Sequence, residues 1–212
     1  FEVLVNLFTV DKGNLKIILF KKEDDPYKGY WMLPSSLLLS KETIESCSND
    51  ILKNVVGYND ISTELCNIYS AIKRVPNKRI IGCSLVGIID SAKADFKRNK
   101  INNFESEWFD ICQIPKTVGD HGIIIKEAIE YIRKRLLNSS ILKNLFPSDF
   151  TLPELQKIYE QILDKKLDRR NFRKKILNLD MIELTGDKNV GCNGRPANLY
   201  RFKSNIEERE IF

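Results

Sequence analysis

Between Thr151 and Lys175 the chain carries two apolar stripes at helical spacing, joined by a turn of a few residues. Leu155, Ile158, Tyr159, Ile162 and Leu163 recur at three and four, the period of one helix face. Thr151 and Glu154 precede them at capping-box spacing, with Pro153 in the first turn, where its missing N–H costs little. After Lys165-Lys166-Leu167, Asp168 is placed to cap a second helix, Arg169 to about Asn178, with Phe172, Ile176 and Leu179 facing inward. From Met181 the period changes to two: Ile182 and Leu184, a glycine-bearing loop from Gly186 to Gly194, then Leu199 and Phe202. Helix, tight turn, helix and hairpin make a winged helix-turn-helix.

Charge gathers on the second of these helices. Lys165 to Lys175 reads KKLDRRNFRKK, seven positive residues against one negative. With Phe172 turned inward, Arg170, Asn171, Arg173 and Lys174 point outward, and Arg169 and Lys175 flank that face. An α-helix fits the major groove of B-DNA, where Arg reads guanine and Asn reads adenine through paired hydrogen bonds. The other cations suit phosphates. A solvated lysine-rich face is the commoner fate of such a run; the helix-turn-helix spacing and the wing tip the reading toward double-stranded DNA. Leu177 also projects outward, with no role that the pattern supplies.

Composition bounds the rest. The 212 residues suffice for one large or two small domains, and 42% apolar with 30% charged residues describes a globular chain. No apolar run approaches bilayer length and no signal-like segment opens the chain, so neither a membrane nor export is expected. The five cysteines are odd in number, scattered and without CxxC spacing. That implies reduced thiols in the cytoplasm, and neither disulfides nor a zinc site.

The first two thirds read as strands, helix, strands, helix. Residues 2–9 and 15–20 are β-rich runs around an Asp11-Lys12-Gly13-Asn14 turn. A polar loop to Tyr30 leads into Trp31-Met32-Leu33-Pro34, followed by a helix opening near Glu42 and running to Val55. Thr63–Arg74 and Arg79–Ile89 are strand-like around a Val75–Lys78 turn, and Phe104–Phe109 is a further strand. Asp120 is placed to cap a helix bearing Ile125, Ala128, Ile129, Ile132 and Leu136. The order predicts an α+β sandwich.

This order, with the entry Tyr27-Lys28-Gly29-Tyr30-Trp31-Met32-Leu33-Pro34, resembles a Nudix domain over Val3 to about Leu137. The family's box reads Gly, five residues, Glu, seven residues, Arg-Glu-apolar-x-Glu-Glu-x-Gly-apolar. With Glu42 and Gly57 as anchors, the first Gly becomes Ser36, the Arg becomes Asp50, and the later Glu positions become Ile51, Asn54 and Val55. One carboxylate survives of four, and an apolar Ile51–Val55 pair packs where acids would ligate magnesium. No metal, cofactor or catalytic residue is therefore expected. Glu107-Trp108-Phe109 with the Asp120-His121 pair is similar to the Nudix-related transcriptional regulators (NrtR-like proteins). So are Asp168–Lys175 and the wing run Gly194-Arg195-Pro196-Ala197-Asn198-Leu199-Tyr200-Arg201-Phe202.

The resemblance implies a Nudix-like α/β/α sandwich over residues 1–146, a winged helix over 147–203 and a tail over 204–212. It also implies a homodimer on a palindromic operator and a small effector of the sugar, nucleotide-sugar or ADP-ribose type. The DNA-binding set is Arg169, Arg170, Asn171, Arg173, Lys174, Lys175 and, on the wing, Arg195. The effector-pocket candidates are Trp31, Ser35, Ser36, Glu42, Arg79 and His121. His121 at a helix start is read first as a cap or packing residue, Trp31 and Trp108 first as core aromatics, and Arg74 and Arg79 first as exposed turn arginines. Two readings compete: a regulator that binds its effector without hydrolysing it, and a Nudix hydrolase with displaced ligands built on Glu42, Glu45 and Asp50. A basic RNA- or protein-binding module has no feature in its favour beyond charge.

Overall fold

A computed structural model of the chain describes residues 1–11, 13–59, 61–90, 93–95, 100–101, 104–136, 149–189 and 196–203. Two compact units divide it: residues 1–9, 16–89 and 93–131 form one, and residues 10–15, 90–92 and 132–212 form the other.

The first unit is built on a mixed sheet in the order β5-β6-β1-β2-β8-β7, with β3 on β2 and β4 on β1. Its strands are β1 (Glu2–Asp11), β2 (Asn14–Lys21), β3 (Trp31–Met32), β4 (Ser35–Leu37), β5 (Thr63–Tyr69), β6 (Gly82–Ile88), β7 (Lys100–Ile101) and β8 (Phe104–Asp110). β1 is the spine. It pairs parallel with β6 and antiparallel with β4, and every residue from Val3 to Val10 is buried. Side chains alternate across a strand, so both faces of the sheet are covered. Val3, Val5 and Leu7 share one core with Ile18, Phe20, Ile51, Leu52, Val56 and Trp108.

Helix α1 (Ile44–Asp50) begins later than Glu42, because Thr43 makes the capping box with Ser46. It runs into a π-helical segment, Ile51–Val56, ended by Gly57 at φ 83°. Hydrogen bonds there span five residues instead of four, and Ile51 shares the buried core with Val56. The expected Ile51–Val55 pair turns on the Val55 side chain, which lies outside the described ones. β5 stops at Tyr69 and β6 starts at Gly82, both short of the runs expected from their apolar content. The intervening chain bends so that Arg74 enters the interior, and Val75 bridges Lys78 across a turn in which Asn77 adopts φ 58°. Helix α2 (His121–Leu136) lies along β5: Glu127 accepts from Asn67 and from the Tyr69 hydroxyl, and Tyr131 donates to Glu64.

The second unit holds the C-terminal helices. α3 (Leu152–Leu163) starts with the Thr151–Glu154 capping box and ends at Asp164 in the left-handed region. α4 (Arg169–Asn178) is capped by Asp168, whose carboxylate accepts from the Asn171 amide at 2.9 Å. Leu155, Ile158, Tyr159 and Ile162 of α3 and Phe172 and Ile176 of α4 are all buried, with the Tyr159 and Phe172 rings edge to face at 5.4 Å. β9 (Ile182–Asn189) and β10 (Ala197–Phe202) pair antiparallel. β9 extends past Gly186, which lies inside the strand at φ 89° where the register slips, so the loop starts later than the glycine suggests. Leu184 faces outward instead of into the core. Phe150 adds a third, one-residue strand by exchanging two backbone hydrogen bonds with Tyr200, and its ring packs on Phe202. Arg195, Cys192 and the segment 204–212 lie outside the described residues.

Candidate nucleic-acid interface and effector pocket

α4 presents one face to the core and the opposite face to solvent. Its N-terminus is fixed by the Asp168 cap, and Phe172 and Ile176, four residues apart, anchor its inner face. Arg169, Arg170, Asn171, Arg173, Lys174 and Lys175 are all exposed. None of Arg169, Arg170, Arg173 and Lys174 forms an ion pair with a carboxylate among the described residues. The local acids are engaged otherwise: Asp168 holds a backbone amide, Asp149 pairs with Arg201, and Glu160 accepts from Gln156, Leu167 and Lys166. The backbone and side-chain donors around Glu160 hold its carboxyl below the usual range. A rigid helix bearing such cations and one outward amide is suited to a polyanion with readable edges.

In the first unit a cavity of about 500 Å³ opens between the start of β1, the 22–32 loop, the 74–78 turn and the N-terminus of α2. Its floor is an ion cluster. Arg74, expected as an exposed turn residue, is buried, and its guanidinium meets Glu2 at 2.7 Å and Asp120 at 2.8 Å. The Asp120 contact is made at Nε without hydrogen-bond alignment. Burying an arginine requires such partners. The opposite wall of its niche is Gly82, where a Cβ would stand 2.8 Å from the guanidinium carbon.

His121 lines the same cavity. It is buried, and its Nδ1 accepts the Leu33 amide at 2.9 Å, which leaves any ring proton on Nε2. Burial depresses its pKa, outweighing the nearby Glu2 and Asp120 carboxylates, with Arg74 acting in the same direction as burial. The ring is thus a neutral donor at physiological pH. Lys22, Lys78, Tyr27 and Met32 complete the mouth and walls. A second cavity, about 550 Å³ beside the π-helical segment, is lined by Asn49, Leu52, Tyr58 and the exposed Lys53.

Of the effector-pocket residues expected from sequence, only His121 lines the charged cavity. Trp31 stacks edge to face on Phe109 at 4.6 Å, with Lys21 over its ring. Ser35 and Ser36 lie on β4, opposite Leu4 and Val3. Glu42 accepts the Leu39 amide, and Arg79 donates to the carbonyls of Ser70 and Ala71. Glu2, Arg74 and Asp120 were missed as a set; the one local signal for them was a glycine opening a strand, a mark of close approach.

The donor set does not fit a magnesium ion. Ile51 is buried in the core, Asn54 is exposed, and the surviving Glu42 carboxylate holds a backbone amide. Among the described residues no three His, Cys, Asp or Glu side chains cluster in a way that would hold a metal. No helix among them is long and apolar enough to cross a membrane.

Four similarities to known proteins bear on the two sites. A family model of the NrtR DNA-binding winged helix domain matches residues 142–202. The ADPR-responsive transcriptional repressor NtrR of Acinetobacter baylyi is 30% identical over 203 residues, 92% of this chain and 79% of the relative. An ADP-ribose pyrophosphatase of Methanocaldococcus jannaschii is 31% identical over 122 residues, 58% of this chain and 70% of the relative. Shewanella oneidensis NrtR complexed with a 27mer DNA has a similar structure, with a TM-score of 0.78 at 25% identity, covering 95% of this chain and 93% of that one.

Proposed function

This chain belongs to the NrtR family of ligand-responsive, DNA-binding transcriptional regulators, and on that premise we propose how its two sites divide the work. The winged helix, residues 147–203, docks α4 in the major groove of an operator. Arg170, Asn171, Arg173 and Lys174 meet base edges or phosphates, Arg169 and Lys175 flank them, and Arg195, outside the described residues, is assigned a backbone or minor-groove contact. The observation that carries this assignment is the outward face of α4. Its exposed Arg170, Arg173 and Lys174 have no carboxylate partner among the described residues, on a helix locked by its cap and two core residues. A homodimer on a palindrome, in the cytoplasm, is part of the proposal, since two-fold proteins and symmetric operators go together.

The Nudix-like domain, residues 1–146, holds an effector of the ADP-ribose type in the cavity over the Arg74 cluster. Glu2, Asp120 and His121 offer hydroxyl acceptors and a neutral donor, while Lys22 and Lys78 stand at the mouth for phosphate oxygens. The effector is held without hydrolysis. Replacement of the box acids by Ile51, Asn54 and Val55, and the engagement of Glu42 with Leu39, support this half of the reading. Titration calorimetry with ADP-ribose, followed by chromatography after long incubation with magnesium or manganese, tests it. Saturable binding with intact ADP-ribose is expected. Release of AMP at enzymatic rates would favour a hydrolase instead.

A further inference from the structure

Leu177 lies near the C-terminal end of α4, one turn beyond Arg173 and in angular line with the cationic face, and it is 39% exposed. In projection, at about 100° per residue, it lies about 20° from Arg170, two turns away, with Arg173 and Lys174 to either side, and about 140° from the buried Phe172. Leaving a leucine in water among cations wastes apolar surface. The phosphate backbone has nothing to offer it, and neither do the polar edges of guanine or cytosine. The major-groove edge of a base pair carries one apolar group, the C5-methyl of thymine. The charge that draws this face to DNA brings Leu177 with it.

We propose that Leu177 is a specificity-determining residue that packs against a thymine methyl in each half-site. The inference rests on the reading of α4 as the recognition helix, and it makes a thymine near the positions read by Arg170 and Arg173 part of the operator. Arginine supplies attraction and guanine readout; the leucine supplies the selection of thymine over cytosine at a neighbouring step. Burial of one methyl-sized group is worth about 0.8 kcal/mol, which is about fourfold in affinity.

The test uses the full chain and a randomised duplex library, with the enriched sequence then remade with deoxyuridine replacing each thymidine in turn. The deoxyuridine duplex lacks only the methyl. One thymidine per half-site should show about fourfold weaker binding on replacement, and that sensitivity should vanish in Leu177→Ala and persist in Leu177→Met. Circular dichroism and melting of both variants establish that they fold. If replacement weakens Leu177→Ala as much as the wild type, or no thymidine is sensitive in the wild type, the inference is wrong while DNA recognition stands. If the library yields no enriched sequence, the recognition-helix reading itself falls, and this inference with it.

Discussion

Alanine at position 82 would place its Cβ 2.8 Å from the Cζ of Arg74 and 3.0 Å from Nε and Nη2. Ordinary carbon contacts sit at about 3.5–4.0 Å, so the guanidinium must retreat by several tenths of an ångström or more. It cannot do so freely, because Glu2 and Asp120 hold it at 2.7 and 2.8 Å in a buried niche. Breaking one charge-assisted hydrogen bond costs about 1.5–3 kcal/mol. The two carboxylate side chains keep 17% and 24% exposure, so water recovers part of this and the lower end applies. Restricting the unfolded chain returns about 0.4–1 kcal/mol. The net expectation for Gly82→Ala is destabilisation of about 1 kcal/mol, or about 2–4 °C for a chain of this size. The decisive version is a double-mutant cycle by urea unfolding with Arg74→Ala. Once the guanidinium is gone, the substitution at 82 should be neutral or mildly stabilising. Additivity of the two substitutions within about 0.5 kcal/mol would refute the niche as described.

His121 is held below its ordinary pKa of 6.5 by burial, so the unfolded chain takes up its proton first as pH falls. The stability it contributes is present above pH 6.5 and is lost below. His121→Asn, which keeps an acceptor for the Leu33 amide, should therefore show a flatter stability profile between about pH 7 and pH 5. An unchanged profile would mean that the ring is not buried as a neutral acceptor. Asp168→Ala removes the cap of α4 and should cost about 1 kcal/mol of stability in the C-terminal unit while weakening DNA binding, since the recognition helix frays from its first turn; urea unfolding and a gel shift together check this.

The parts of the molecule legible in the sequence are those fixed by residues close together in the chain. Thr151 with Glu154, and Asp168 with the amide of Asn171, are three residues apart, and both caps form as their spacing implies. The Phe172 and Ile176 stripe fixes which face of α4 remains outside, and with it the basic surface. Opaque features depend on distant partners. Arg74 reads as a turn residue because its partner Glu2 is 72 positions away, on the first strand. The same distance hides the charged cavity: the residues that look reactive near the box, Ser36 and Glu42, serve β4 and a turn, while the charged floor comes from three separate segments. The π-helical segment is invisible to a search for the ordinary helical period, since the apolar residues at 51, 52 and 56 suit either winding. Phe150 escapes because a strand of one residue has no period at all.

Everything proposed for the C-terminal unit depends on the outward face of α4 being a DNA-binding surface. Fluorescence anisotropy on the duplex enriched by the wild-type chain, titrated at several salt concentrations, measures this with Arg170→Ala/Arg173→Ala. Both side chains are exposed and outside the core, so the variant should melt like the wild type. It should bind the enriched duplex roughly a hundredfold or more weakly, at about 1–3 kcal/mol for each base that an arginine no longer reads. For every phosphate left without its cation, the salt dependence should be shallower by about 0.9. Wild-type affinity and an unchanged salt slope in the folded variant would contradict the assignment.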